Sequence, residues 1–277
     1  MIFTYRASGI DPQTQKVRNV TRKIDTDDWL MTIKRELMYR GASSVVERDL
    51  LPLLESDSLD ELASCVHGLY DTWRYGAGTA IFELAMFVWA KHKRGECSAR
   101  VWATVLGFTW QAGVSGMLAA VKLSTNQVIE MFNAAPKEVL FNVMSKGKGE
   151  DSTFAAYKEM ADTMVVYRGV STGMSHQENG FSWSLDIEQA RDFSLRNCHT
   201  KKEAPGILIA EIRKDAILCA FDYESEIVVN PLIPKKNLQK LFLEGKALKE
   251  FHKRFDASRY LTDAVHPANP KKQIFQL

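Results

Sequence analysis

The hydrophobic pattern of this chain changes its period at one place, and that change limits the fold more than any other feature. The segment Ser145-Lys146-Gly147-Lys148-Gly149-Glu150-Asp151 carries two glycines, four charges and no apolar side chain. A stretch of that kind has nothing to bury, so it makes the best domain boundary in the sequence. Upstream of it, apolar residues recur at helical spacing, and downstream short β-type runs take over. The expectation is therefore two domains, residues 1–150 and 151–277.

The first 26 residues are polar and irregular, which predicts an extended arm or a short hairpin. A helical pattern starts at Asp27-Asp28, which cap Trp29 to Met38, and Gly41 ends it. Further helices are expected over 44–54, 59–75, 79–93, 99–122 and 125–133. Another runs through Met144 with Pro136 in its first turn, where a proline is best tolerated. With almost no period-two alternation, this half reads as an all-α domain. Val101 to Val121 is free of charge and of membrane-spanning length. Thr104, Thr109, Gln111 and Ser115, with Gly107, Gly113 and Gly116, instead favour a buried helix or helix pair.

The second half opens with a helix over 153–161. Short β-type runs follow at Met164–Tyr167, Ile207–Ile212, Ile217–Phe221 and Glu226–Val229, with a helical stretch from Ile187 to Leu195 after the first. Strands with one inserted helix indicate an α+β domain rather than alternating βαβ units.

Composition removes several function classes. Apolar residues at 45% and charged residues at 25% fit a soluble globular protein, and a net charge of +2 does not select nucleic acid. The four cysteines lie far apart without Cys-x-x-Cys spacing, which argues against a thiolate zinc site or a disulfide framework and for a reducing compartment. Six histidines show no metal spacing, and neither a P-loop nor a Gly-x-Gly-x-x-Gly segment is present. A metal hydrolase and a dinucleotide oxidoreductase are disfavoured. No apolar run of signal-peptide length follows Met1, so action in the cytoplasm is expected.

Three segments of the second half carry groups suited to chemistry. They are Tyr167-Arg168-Gly169 after a strand-like run, Gly180-Phe181-Ser182-Trp183-Ser184 ahead of Asp186, and Tyr223-Glu224-Ser225-Glu226 leading into Ile227-Val228-Val229. Singly, each has an ordinary structural explanation: a solvated arginine, a helix cap, a pair of strand carboxylates. In the order Arg, Ser-x-Ser, Glu-x-Glu, with the Ile207–Ile212 strand between the last two, the region from Tyr167 to Pro231 resembles the Arg-Ser-Glu class of mono-ADP-ribosyltransferases. That is the family of clostridial and cholera-type toxins, vertebrate ecto-enzymes and phage enzymes. Trp183 departs from the pattern, which has a small residue there, and the resemblance does not reach residues 1–150.

The resemblance implies an ADP-ribosyltransferase fold in which two small β-sheets form an NAD cleft, NAD+ as cosubstrate, and no metal. It implies that Arg168 holds the pyrophosphate and that Gly169 gives room for close approach. Ser182 would hold the pocket near the nicotinamide ribose, and Ser184 would help to fix the glutamate-bearing strand. Glu226 would face the ribose as the catalytic carboxylate, with Glu224 orienting the acceptor. The chemistry gives its own reasons for these residue types. Breaking the nicotinamide–ribose bond makes an oxocarbenium-like centre, which a fixed carboxylate stabilises. A pyrophosphate calls for a permanent cation with several donors.

Glu224 lies two residues before Glu226, so on a strand both carboxylates would face one way, and a glutamate at this place implies a protein arginine as acceptor. Phe221 and Tyr223 read either as an aromatic surface for the target or as strand packing. Between Lys235 and Leu277 there are ten basic residues (Lys235, Lys236, Lys240, Lys246, Lys249, Lys253, Arg254, Arg259, Lys271 and Lys272) against four acids. Phe242, Phe251, Phe255 and Tyr260 are interleaved with them. That tail reads as an amphipathic helix with a solvated basic face, or as a surface tracking RNA or DNA. ADP-ribosylation of nucleic-acid bases, NAD+ hydrolysis and a catalytically inactive interaction module of the same fold thus stay open. The implied setting is a bacterial toxin, an anti-phage effector or a phage host-modifier. Residues 1–150 would then bind the target or a neutralising antitoxin.

Overall fold

A computed structural model describes residues 2–10, 17–25, 46–56, 58–73, 78–111, 123–143, 145, 149–174, 177–198, 200, 202–222 and 225–259. The chain divides into two compact units, Met1–Ser145 and Lys146–Leu277. The helix expected from Asp27 to Gly41 lies outside the described residues.

The first unit opens with an antiparallel hairpin of β1 (Ile2–Ile10) and β2 (Val17–Asp25), in continuous register from Ile2↔Asp25 to Ile10↔Val17. Of the two readings of the polar opening segment, an extended arm or a short hairpin, the structure has the hairpin, so this half is helical apart from one β-ribbon and not all-α. A single π turn (Val46–Leu50) then leads into α1 (Leu51–Glu55), followed by α2 (Leu59–Trp73) and α3 (Gly78–Lys93). Next come α4 (Ala99–Thr109), α5 (Thr125–Asn133) and α6 (Lys137–Asn142). Pro136 is the cap residue before α6 rather than part of its first turn.

Helix α4 explains the charge-free run. Ser98 Oγ caps it by accepting from the Val101 N–H at 3.2 Å, and every residue from Val101 to Thr109 is buried. A helix apolar on all sides belongs in the middle of a bundle. Trp102 packs against Trp89 with ring planes tilted by 45° and centroids 4.9 Å apart, and its indole N–H donates to the Met131 carbonyl at 2.8 Å. Among the described residues no helix is long and apolar enough to cross a membrane. Helix α5 starts with a capping box, in which Ser124 and Gln127 satisfy each other's backbone N–H groups.

The second unit begins with α7 (Thr153–Glu159) and β3 (Thr163–Ser171). Then come β4 (Ser182–Ser184), α8 (Ile187–Arg196), β5 (Pro205–Arg213) and β6 (Ile217–Phe221). The unit ends in β7 (Glu226–Val229), β8 (Lys236–Phe242) and α9 (Gly245–Arg259). The strands lie in the order β6-β7-β4-β3-β5-β8, all antiparallel to their neighbours. This corrects the expectation of two small sheets: the six strands form one. The short length of β4 is the reason. It pairs along all three residues with β7 but meets β3 at the single pair Tyr167↔Ser184, so two three-stranded halves are joined at one point.

Helix α8 lies against β3 at Gly169. A Cβ at Gly169 would overlap the Ala190 carbonyl and the Ser194 backbone nitrogen, and Asn197 Nδ2 donates back to the Gly169 carbonyl at 3.1 Å. Leu195 and Cys198 then pack with Phe251 of α9, which joins α9 to this core. Because the obstacles at Gly169 are backbone atoms, they cannot swing aside. Gly169→Ala is expected to destabilise the protein by about 1–3 kcal/mol, read as a lower midpoint of urea unfolding with an unchanged slope.

Candidate functional site

The site is built around β4. Trp183 is 2% exposed, and its indole N–H donates to the Gly180 carbonyl at 2.9 Å, closing a turn ahead of the strand. With Trp183 committed to the core, alternation puts Ser182 and Ser184 on the opposite face of β4. The large residue that departed from the family pattern is thus the anchor that orients both serines.

Residues facing each other across an antiparallel pair present their side chains together. Ser184 faces Glu226, and Ser182 faces Val228. Ser184 is buried, and its Oγ donates to the Ser225 carbonyl at 3.3 Å while accepting the Asp186 N–H at 3.0 Å. The Leu185 N–H donates to that same Ser225 carbonyl at 3.0 Å. Ser225 adopts φ 49°, the left-handed region that side-chain-bearing residues avoid. A disfavoured backbone held by two donors immediately before Glu226 fixes the angle at which β7 begins. On the far side, Thr153 Oγ1 donates to Asp222 at 2.6 Å and ties the same hairpin loop to α7.

Arg168 stands on β3, the next strand over. Its Nη1 donates to the Ser182 carbonyl, and the guanidinium rests on Gly180, where any Cβ would overlap it. The residue as a whole is half-buried, yet its Nε is shut off from solvent and has no hydrogen-bond acceptor among the described residues. Burial pushes the guanidinium down to about 10, while the Glu226 carboxylate acts in the opposite direction. Arg168 is still a cation at neutral pH, and a desolvated one with an unused donor.

Four of the residues singled out from the sequence, Arg168, Ser182, Ser184 and Glu226, therefore lie on three adjacent strands. The remaining site candidates fare differently. Gly169 serves helix packing rather than ligand access, because α8 occupies the space beside it. Glu224 and Tyr223 lie outside the described residues. The strand face expected to be shared by Glu224 and Glu226 therefore rests on a residue outside the described ones, and β7 begins at Glu226. Phe221 is 3% exposed and belongs to the core, not to a target surface.

The basic tail also changes character. Part of it is strand β8, and Phe251 is 1% exposed, unable to stack on a base. The Phe242 ring covers Gly206. Lys240 pairs with Glu178 and Lys253 with Glu250. Phe255 has no described side chain, and Tyr260 lies outside the described residues. Among the described residues no cluster of histidine, cysteine or acidic side chains is suited to a metal, and Cys65, Cys97, Cys198 and Cys219 form no disulfide.

Sequence reasoning gave no role to Gly180, Ser225 or Lys235. Gly180 had a weak signal, as the glycine that opens the Ser-x-Ser segment, whereas Lys235 was one basic residue among ten. Comparison with protein families, curated proteins and solved structures finds no match to this chain.

A desolvated cation with an unused donor is a cost to stability. The folded state holds Arg168 below the ordinary arginine range, so that cost is present at neutral pH and is relieved only above about pH 10. Arg168→Met fills similar space without the charge. Its melting temperature is expected to equal or exceed that of the wild type at pH 7, measured by calorimetry. A fall of several degrees would show instead that Arg168 is there for structure.

Proposed function

We propose that residues 151–277 form an NAD+-dependent mono-ADP-ribosyltransferase domain that transfers ADP-ribose to a macromolecule. The observation that carries this reading is the placement of Ser184 opposite Glu226 on β4 and β7, with Arg168 on the adjoining β3. Residues spread over the sequence from 168 to 226 stand on adjoining strands: Tyr167, the neighbour of Arg168, pairs with Ser184, and the Arg168 charge is within reach of the Glu226 carboxylate.

The chemistry follows from these groups. Arg168 supplies a desolvated cation for the pyrophosphate of NAD+, and an anion there would use the donor capacity of Nε. Ser182 Oγ, with no hydrogen-bond partner among the described residues, lies two residues along the same face from Ser184 and is suited to a ribose hydroxyl. Glu226 hydrogen-bonds the nicotinamide ribose and stabilises positive charge as it develops. The bond from ribose C1′ to the nicotinamide nitrogen breaks, and its electron pair leaves with neutral nicotinamide. A nucleophile on the acceptor then forms the new bond to C1′ and gives up a proton. The Ser225 carbonyl, held by Ser184 and Leu185, keeps Glu226 in place before the reaction, which is where electrostatic stabilisation is most effective.

A protein arginine is the acceptor favoured by this reading, through Glu224 and the family resemblance. Transfer to nucleic acid has less support, because Phe251 is buried and two lysines of the tail are already paired. An inactive module of the same fold would have no need to keep an enclosed arginine beside an oriented glutamate.

The test is to incubate the full chain with labelled NAD+ and cell extract, separate protein from RNA, and compare Glu226→Gln. Label in the protein fraction is expected, falling about 10²–10³-fold in the variant with a similar melting temperature. Label in RNA would move the acceptor to nucleic acid. Nicotinamide release that is absent from the wild type, or unchanged in the variant, would sink the proposal.

A further inference from the structure

We propose that Lys235 is a second ligand-binding residue, which grips the diphosphate of the substrate together with Arg168 around the turn Gly180–Trp183. The proposal rests on the transferase reading for its ligand, but its geometry is separate from that of Glu226. Lys235 follows Pro234 in the connection between β7 and β8, far from Arg168 in sequence. Its Nζ lies 5.3 Å from the ring centroid of Trp183. That indole is pinned to Gly180, and Gly180 and Ser182 hold the Arg168 guanidinium. Two cations on separate elements are thus gathered at one four-residue turn.

Neither cation is neutralised by a direct partner of its own. Lys235 makes no ion pair among the described residues. Glu178 does act on Lys235 electrostatically, but its carboxylate is paired with Lys240. Arg168 feels Glu226 and still has a buried Nε without an acceptor. Burial lowers the Lys235 ammonium from its ordinary value, and the neighbouring Arg168 lowers it further. Two like charges held close and partly dehydrated disfavour one another. The arrangement becomes favourable when an anion with charge on two adjacent centres lies between them. A diphosphate meets that requirement: the guanidinium fork suits one phosphate, and the compact ammonium suits the other as a point charge. Contact with the Trp183 ring keeps the flexible lysine aimed without neutralising it.

The experiment is titration of the full-length protein with ADP-ribose by calorimetry, comparing wild type with Lys235→Met and Lys235→Arg. Lys235→Met is expected to weaken ADP-ribose about tenfold or more, and Lys235→Arg to recover most of the loss. Adenosine, which lacks the diphosphate, should not distinguish the three proteins. In NAD+ cleavage the methionine variant should raise KM while kcat stays within about twofold, since the interaction is made equally in ground and transition states. Unchanged ADP-ribose affinity in Lys235→Met with a wild-type melting temperature would overturn the proposal, even if NAD+ is cleaved. If ADP-ribose binds and depends on Lys235 but NAD+ is never cleaved, the diphosphate site stands and the transferase reading fails. Should the methionine variant not fold, Lys235→Gln gives the same comparison with a polar side chain.

Discussion

The site depends on a strand of three residues. β4 gains its position from Trp183, whose indole is sunk in the core and hydrogen-bonded to Gly180. That single commitment sets the face on which Ser182 and Ser184 stand, and the three-residue pairing with β7 sets Glu226 opposite Ser184. The strand touches β3 at one pair only, so the sheet is continuous there yet loosely joined. A join of this kind lets Arg168 reach the Ser182 main chain instead of being covered by a fully paired neighbour. Shift β4 by one residue and the serines would exchange places with Trp183.

Backbone conformation and charge are both unusual around β4. Ser225 holds a left-handed conformation that a glycine would adopt more readily, and two donors from the end of β4 hold its carbonyl. Arg168 and Lys235 are partly dehydrated cations gathered at one turn, with a buried guanidinium nitrogen left without an acceptor. A protein optimised only for stability would replace such groups with apolar ones of similar volume. Strain and unspent hydrogen-bonding capacity that coincide next to an oriented carboxylate are the physical grounds for placing chemistry here.

Much of the second unit was legible because its central strands are apolar and short. Ile217–Phe221 and Glu226–Val229 appear in the sequence with the bounds they have as β6 and β7, and Ile207–Ile212 falls inside β5. β8 was not legible. It is an edge strand whose residues from Lys236 to Leu241 are mostly exposed, so it has few apolar side chains and its lysines suggested a helix face. The polar N-terminal ribbon left the same ambiguity, and its length emerged only from the pairing of β1 with β2. For the site, the order of Arg168, the serines and Glu226 could be seen in the chain. The real service of Gly169 to α8, the break at Ser225 and the approach of Lys235 to Trp183 could not, because each depends on register or on a contact between distant segments.

The most direct test of the central claim is a crystal structure of the protein with an NAD+ analogue whose nicotinamide-ribose ring oxygen is replaced by carbon, so that cleavage is blocked. The account predicts the diphosphate against Arg168 and a hydroxyl of the nicotinamide ribose within hydrogen-bond distance of Glu226. A ligand bound elsewhere, or one that leaves Glu226 without contact to that ribose, would contradict it.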